Sequence, residues 1–315
     1  MVFTSAHGLW QASNVKKIQK LPCAGPALSS SAVGVHLPTC RKRTPFLLSS
    51  PHSGRNYPQD FLDMTILPMN ELERMEDRFT DQLLEQAPEQ GLSLVQALFP
   101  RSFCDVNRDW RELDASMFSP PLIEKDLLLS KKVSAGYGVI PRCASPGKSI
   151  YRYCLPLEEA GRRLSQYWEP YHAALRQTQQ TLHQQFGFTI LLDIHSMPPL
   201  AQSRPCDIVL GNRHGKTCSS ELIGLAEKLF VEKGYHVQRN TPYSGGYITG
   251  RYGRMEQNRQ SLQIEINRAC YLNLQTLQPN RNFTRMQQDI TGILAHMAHS
   301  YAAPEQGTEQ ESTPG

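Results

Sequence analysis

No apolar run in this 315-residue chain approaches the ~20 residues that a membrane-spanning helix needs, which argues against a membrane partner. None of its eight cysteines (Cys23, Cys40, Cys104, Cys143, Cys154, Cys206, Cys218 and Cys270) stands in a CxxC pair. That removes zinc-ribbon and thioredoxin-like readings. The scattered spacing suits reduced thiols in a cytoplasmic enzyme better than a disulfide framework. Acidic residues are missing before Asp60, whereas residues 1–43 carry Lys16, Lys17, Lys20, Arg41, Lys42 and Arg43. Taking these six from the 33 basic residues of the chain leaves 27 against 29 acidic ones. The body is therefore slightly acidic and lacks the basic surface that a nucleic-acid partner requires.

The basic, acid-free composition of residues 1–43, with its "CAGPALSSSAVG" middle, is shared by organellar transit peptides. It equally suits a disordered extension, which is the reading adopted, with a folded body over 44–302. The polar tail 303–315 has too little apolar content to fold. A body of this size buries enough apolar surface to need no disulfide or structural metal. Within it, "PFLLSS", "LSLVQALF", "SFCDVN", "TILLDIHS", "CDIVLGN", "YHVQRN" and "SLQIEINR" read as strands. Residues 69–87 read as a helix, with Leu72, Met75, Phe79 and Leu83 on one stripe. Residues 156–186 read as a long helix with Pro156 at its start, a kink or break at Pro170 and a stop at Gly187. Further helices are expected over 217–233 and 282–301, and loops over 111–153. Strand–helix alternation predicts an α/β protein with a single mixed central sheet covered by helices on both faces.

Chemistry-bearing side chains fall late in four apolar segments. His52 follows the first. Asp105 and Asn107 are two apart in "FCDVNRDW", as are Asp193 and His195 in "LLDIHS". In "LQIEIN", Glu265 alternates with apolar neighbours and so faces a polar side of its strand. Any one of these has an ordinary alternative: a turn histidine, a capping aspartate, a solvent-facing glutamate. Their coincidence is what points to a site, because functional groups in open α/β sheets gather at the carboxyl ends of strands. Two histidines and a carboxylate with an open position make a catalytic zinc ligand set, and a nearby free glutamate supplies a general base. A metal-dependent hydrolase follows.

The stretches "SSPHSGRNYP", "EDRFTDQL", "FPRSFCDVNRDWRELD", "AGYGVIPR", "PYHAALR", "LLDIHSMP", "DIVLGNRHG", "SGGYITGRYG" and "LQIEINR" occur in order between Pro45 and Tyr271. They resemble the N-formylglutamate amidohydrolases, distant relatives of the zinc carboxypeptidases. The resemblance implies a zinc-carboxypeptidase-like (phosphorylase/hydrolase-like) fold and zinc, or another divalent metal, held by His52 and His195. It implies Glu265 as general base and Asp105 as the carboxylate that orients His52. It also implies Asn107 and Arg108 as the grip on a substrate carboxylate, with Arg101 and Arg142 as further cations for a small acidic N-acyl amino acid. Arg152 and Arg251 rank below them. Where carboxypeptidases carry HxxE, this chain has Arg55 three residues after His52. The third ligand then has to come from elsewhere, and the resemblance points to Asp77 in "EDRFTDQ", with Asp81 and Asp105 as alternatives. Tyr243 or Tyr247 could point into the site from the glycine-rich "YSGGYITG", and His172 reads as structural. Hydrolysis of other N-acyl amino acids or peptides, and non-catalytic binding, stay open alternatives. The sequence is silent on oligomeric state.

Overall fold

The computed structural model describes residues 32–38, 43–122, 124–201 and 205–301. Seven strands form one mixed sheet: β1 (Val33–His36), β2 (Phe46–Ser50), β3 (Ser93–Ala97), β4 (Thr189–Met197), β5 (Ile208–Gly211), β6 (Val237–Arg239) and β7 (Arg259–Asn267). Their spatial order is β1-β3-β2-β4-β7-β5-β6. Strands β3, β2, β4 and β7 run parallel. Strand β1 is antiparallel to β3, and β5 is antiparallel to β7 but parallel to β6.

Period-two alternation divides the sheet into two faces. Phe46, Leu48, Ile190, Leu192, Ile194, Leu262, Ile264 and Ile266 enter one core. The helices α7 (Ser220–Glu232) and α9 (Phe283–Ser300) cover it, burying Leu222, Phe230, Ile290, Ile293 and Met297. Each such side chain contributes about 1.5–3 kcal/mol by leaving water. Leu47, Val95 and Leu191 enter the opposite core, under α6 (Glu169–Phe186) with Tyr171, Leu175 and Leu182. Towards the carboxyl ends of β2, β4 and β7, this second face changes from apolar to polar. Ser49 is paired in register with Asp193, Asp193 with Gln263, and His195 with Glu265. The expected mixed sheet with helices on both faces is what forms.

The remaining helices are α1 (Gln59–Met64), α2 (Met69–Glu73), α3 (Thr80–Leu83), α4 (Lys131–Ser134), α5 (Leu157–Arg163) and α8 (Tyr247–Tyr252). Five expectations are corrected. Residues 33–36, placed in an extension outside the fold, form the edge strand β1. The continuous helix expected over 69–87 is broken into α2 and α3, because Phe79 takes a left-handed conformation (φ 63°). The segment "SFCDVN" is a run of turns: Asp105 Oδ1 accepts from the Asn107 N–H (2.9 Å), and the Asp105 N–H donates to Val139 O (2.7 Å). Strand β2 ends at Ser50, two residues before His52. The long helix begins one residue later than expected, and its irregularity is a π-turn at Leu164–Trp168, just before Pro170. Gly187 ends it with φ 76°. Residues 1–31, 39–42 and the tail 303–315 lie outside the described residues. Among the described residues no helix is long and apolar enough to cross a membrane, and six cysteines are free.

Candidate metal centre

His52 sits just beyond β2, and both it and Asp77 are buried. The turn carrying Asp77 is fastened to the histidine loop because the Asp77 N–H donates to His52 O (3.0 Å). The Thr80 hydroxyl closes the turn on Asp77 O (2.8 Å). Arg55, at the position a carboxypeptidase-like ligand would take, instead binds Asp81 through two parallel hydrogen bonds (2.7 and 3.2 Å). That commits Asp81 to an ion pair, so of the alternatives only Asp77 and Asp105 reach the histidines.

His52, Asp77 and His195 each present one ligand atom, all within 4.8 Å of one another. The outer nitrogen of His52, Nε2, donates to Asp105 Oδ1 (2.8 Å). In the neutral ring its Nδ1 then carries the lone pair, and that nitrogen is buried and has no hydrogen-bond partner. That lone pair faces Asp77 Oδ2 at 3.3 Å. His195 differs in one respect: its Nδ1 is hydrogen-bonded to the same Asp77 oxygen (2.9 Å), while its Nε2 lies 3.1 Å from Asp193 Oδ2 and 3.1 Å from Asn107 Nδ2. Acceptors facing one another inside a protein repel unless a proton or a cation lies between them. Burial disfavours charge on His195, but Asp193 and Asp77 outweigh it and raise the imidazole well above its ordinary range. A proton thus sits between His195 and Asp77 until a cation displaces it. Nothing plays that part at His52 Nδ1. The donor set, the orphaned nitrogen and the two outer carboxylates that fix the tautomers fit a divalent transition metal such as zinc.

The surroundings are strongly charged. Burial opposes ionisation of Asp77, but its hydrogen bond to His195 and the nearby His52 ring hold its carboxyl well below the usual range. Asp105, also buried, is held low by Arg101 (2.9 Å), His52 and Arg108. Glu265 is 7% exposed. Burial pushes its carboxyl up to about 7 against the pull of His195. Its Oε1 accepts from Gln263 Nε2 (2.8 Å). The orientation of that amide is fixed because Gln263 Oε1 accepts from the Gly246 N–H (2.7 Å).

The residues expected to bind substrate separate into two groups. Arg101 and Arg108 both lie beside Asp105, and Arg108 is further held by Tyr137 O (3.0 Å) and Asn107 O (2.9 Å). Asn107 is not a free grip. Its Oδ1 accepts from the Ile248 N–H (2.8 Å), and its Nδ2 lies against His195 Nε2 (3.1 Å), so it ties the glycine-rich loop to the centre. Arg142 pairs with Asp114 (2.9 Å), both partly buried, and no hydrogen bond or ion pair among the described residues joins it to the cluster. Tyr243 is partly buried, and burial first and Glu265 next raise its hydroxyl, whereas Tyr247 accepts from Arg251 (2.9 Å). His172 is structural as expected, donating to Val106 O (2.9 Å) and pairing with the Tyr252 hydroxyl.

Sequence reasoning singled out Asp193 without giving it a role, and missed Gln263, Arg268 and Lys132. Asp193 partners His195, and the i, i+2 spacing on one strand face was its signal. Gln263 carries the same signal towards Glu265. Arg268 donates to Asp77 Oδ1 (3.0 Å), and Lys132 is an exposed cation whose charge is felt beside Arg108 and Arg101. Neither has a local sequence signature.

Comparison with known proteins agrees with this geometry. The profile of one family, N-formylglutamate amidohydrolase, matches residues 44–272. A crystal structure of N-formylglutamate amidohydrolase from Ralstonia eutropha JMP134 is similar at 35% identity and a TM-score of 0.82, covering 86% of this chain and 99% of that one. The N-formylglutamate deformylase of Pseudomonas aeruginosa is 28% identical over 242 residues, 75% of this chain and 85% of the relative. That of Pseudomonas putida is 29% identical over 237 residues, 73% and 82% of the two chains.

Proposed function

The chain belongs to the N-formylglutamate amidohydrolase family, and from that premise we propose that it hydrolyses the C–N bond of N-formylglutamate or a closely similar N-acyl acidic amino acid. The carrying observation is the convergence of His52, Asp77 and His195 on one point, with Glu265 in register beside His195. Zinc or another divalent ion at these ligands would supply Lewis-acid polarisation of a water and of the scissile carbonyl.

The chain's own residues do the rest. Glu265 takes a proton from the attacking water as the new O–C bond forms. It then delivers that proton to the amide nitrogen as the C–N bond breaks, releasing formate and the free amino acid. A carboxyl pushed up to about 7 exchanges protons efficiently near neutral pH. Gln263 fixes the orientation of this base, and Asp105 and Asp193 fix the two imidazoles. Arg101, Arg108 and Lys132 supply the positive charge that two substrate carboxylates require. The free cysteines suit a reducing compartment, and the chain acts in the cytoplasm.

The test is hydrolysis of N-formyl-L-glutamate by the zinc-loaded protein, read as formate release, beside N-acetyl amino acids and short peptides. Preferred turnover of the formyl substrate is expected. Turnover of peptides alone would make the chain a peptidase on the same site. A protein that never loads metal and turns over none of them would be a binding protein with this fold.

A further inference from the structure

Arg268 lies immediately after β7, at the start of a short 3₁₀ turn (Arg268–Cys270) that Asn267 caps by accepting from the Ala269 N–H (3.0 Å). From there the side chain runs back under the metal centre and is 12% exposed. Its donors all meet acceptors on the two segments that carry ligands. Nη1 donates to Arg74 O (2.9 Å) at the root of the turn that holds Asp77. Nε donates to Ser196 Oγ (3.0 Å), the residue after His195. Nη2 donates to Asp77 Oδ1 (3.0 Å) and reaches Ser196 O (3.4 Å). With its fork engaged in this way, the guanidinium is not offered to substrate.

We infer that Arg268 is the positioning residue of the metal centre: it restricts Asp77 to one ligating oxygen and ties the Asp77 turn to the His195 strand. The inference rests on the metal-dependent reading above. A carboxylate can offer a cation either oxygen or both. Here Oδ1 is occupied by Arg268, so Oδ2 alone faces the two Nδ1 atoms. Two effects oppose each other. The positive charge 3.0 Å from Asp77 weakens the carboxylate's hold on a cation. The fixed fork removes the conformational freedom that the turn would otherwise have to lose on binding. Orientation outweighs charge here, because Asp77 sits on a turn rather than on a strand, and once a cation takes the place of the His195 contact at Oδ2 the Arg268 bond at Oδ1 is what keeps the carboxylate aimed.

The experiment is competitive titration of zinc against a chromophoric chelator, using metal-free wild type, Arg268→Lys and Arg268→Met. Thermal melting of each metal-free protein is measured in parallel. Arg268→Met should bind zinc about 10–100-fold more weakly. Arg268→Lys, which keeps the charge but loses the fork, should fall between the two. Equal or tighter binding by Arg268→Met would overturn the inference, as would wild-type affinity in Arg268→Lys if the methionine variant fails to fold. A merely structural role would lower the melting temperature and leave the affinity of the folded protein unmoved. Absence of zinc binding in the wild type would instead sink the metal-dependent reading itself.

Discussion

Replacing Glu265 with glutamine should stabilise the metal-free protein above neutral pH while abolishing turnover in the loaded enzyme. Burial raises the Glu265 carboxyl from 4.5 to about 7, with Asp77 and Asp193 acting in the same direction and His195 and Arg101 against it. In the unfolded chain the same group titrates near ~4.3. Between these values the native state holds a proton that the unfolded state has released, so this group's contribution to stability falls as pH rises through that window. At ~1.36 kcal/mol per unit of pKa, the loss is about 3 kcal/mol once the pH exceeds 7. Glutamine is neutral, has the same shape, and can still accept from Gln263 through its amide oxygen. Urea denaturation of metal-free wild type and Glu265→Gln should therefore agree at about pH 4, below both values. They should diverge to about 3 kcal/mol at pH 8, a melting difference of roughly 6–12 °C for a domain of this size. Metal content should be unchanged, because Glu265 is outside the ligand group. Formate release should fall about 10²–10⁴-fold. A stability difference that is flat with pH would refute the burial argument, and retained turnover would refute the assignment of the base.

Gly246→Ala should destabilise the protein by about 1–3 kcal/mol by overpacking. An added Cβ would lie 2.5–2.8 Å from three side-chain atoms of Asn107, which is pinned between His195 and the Ile248 N–H. Activity should fall with stability, and a urea midpoint equal to wild type would show that the contact is relieved at no cost. Lys132→Met should lower kcat/KM for N-formylglutamate about 10-fold, the worth of one charge-assisted hydrogen bond. It should leave a neutral N-formyl amino acid unaffected, whereas an unchanged ratio between the two substrates would remove Lys132 from recognition.

The sheet was legible wherever alternation ran long enough. In 189–197 and 259–267 the apolar and polar faces separate residue by residue, which is why Asp193, His195 and Glu265 could be placed together. The failures have local causes. Phe103, Asp105 and Asn107 alternate as a strand would, but the Asp105 carboxylate binds the Asn107 N–H and competes with any ladder. The stripe through Leu72, Met75 and Phe79 imitates a helix, and only the arginines at 55 and 78, both stacked on the Phe79 ring, reveal why the chain turns there. Strand β1 is four residues long and exists because Ser93–Ala97, some sixty positions away, offers an edge. Arg268 and Asp77 are 191 positions apart, and nothing in either neighbourhood names the other.

The sheet order β4-β7-β5 has a consequence for how the protein is made. The last strand of the sheet in sequence is an interior one, and it arrives after both its neighbours. As the chain leaves the ribosome, β4 and β5 must wait with open edges for β7, some fifty to seventy residues further on. Such edges are where nascent chains pair wrongly. The strand that closes them also carries Glu265, with Arg268 just behind it. Neither Glu265 nor the Arg268 support for Asp77 is in place until the sheet is shut, so the proposed metal centre is complete only after β7 has docked. A chain halted before residue 259 would leave His52 and His195 beside a sheet that is still open.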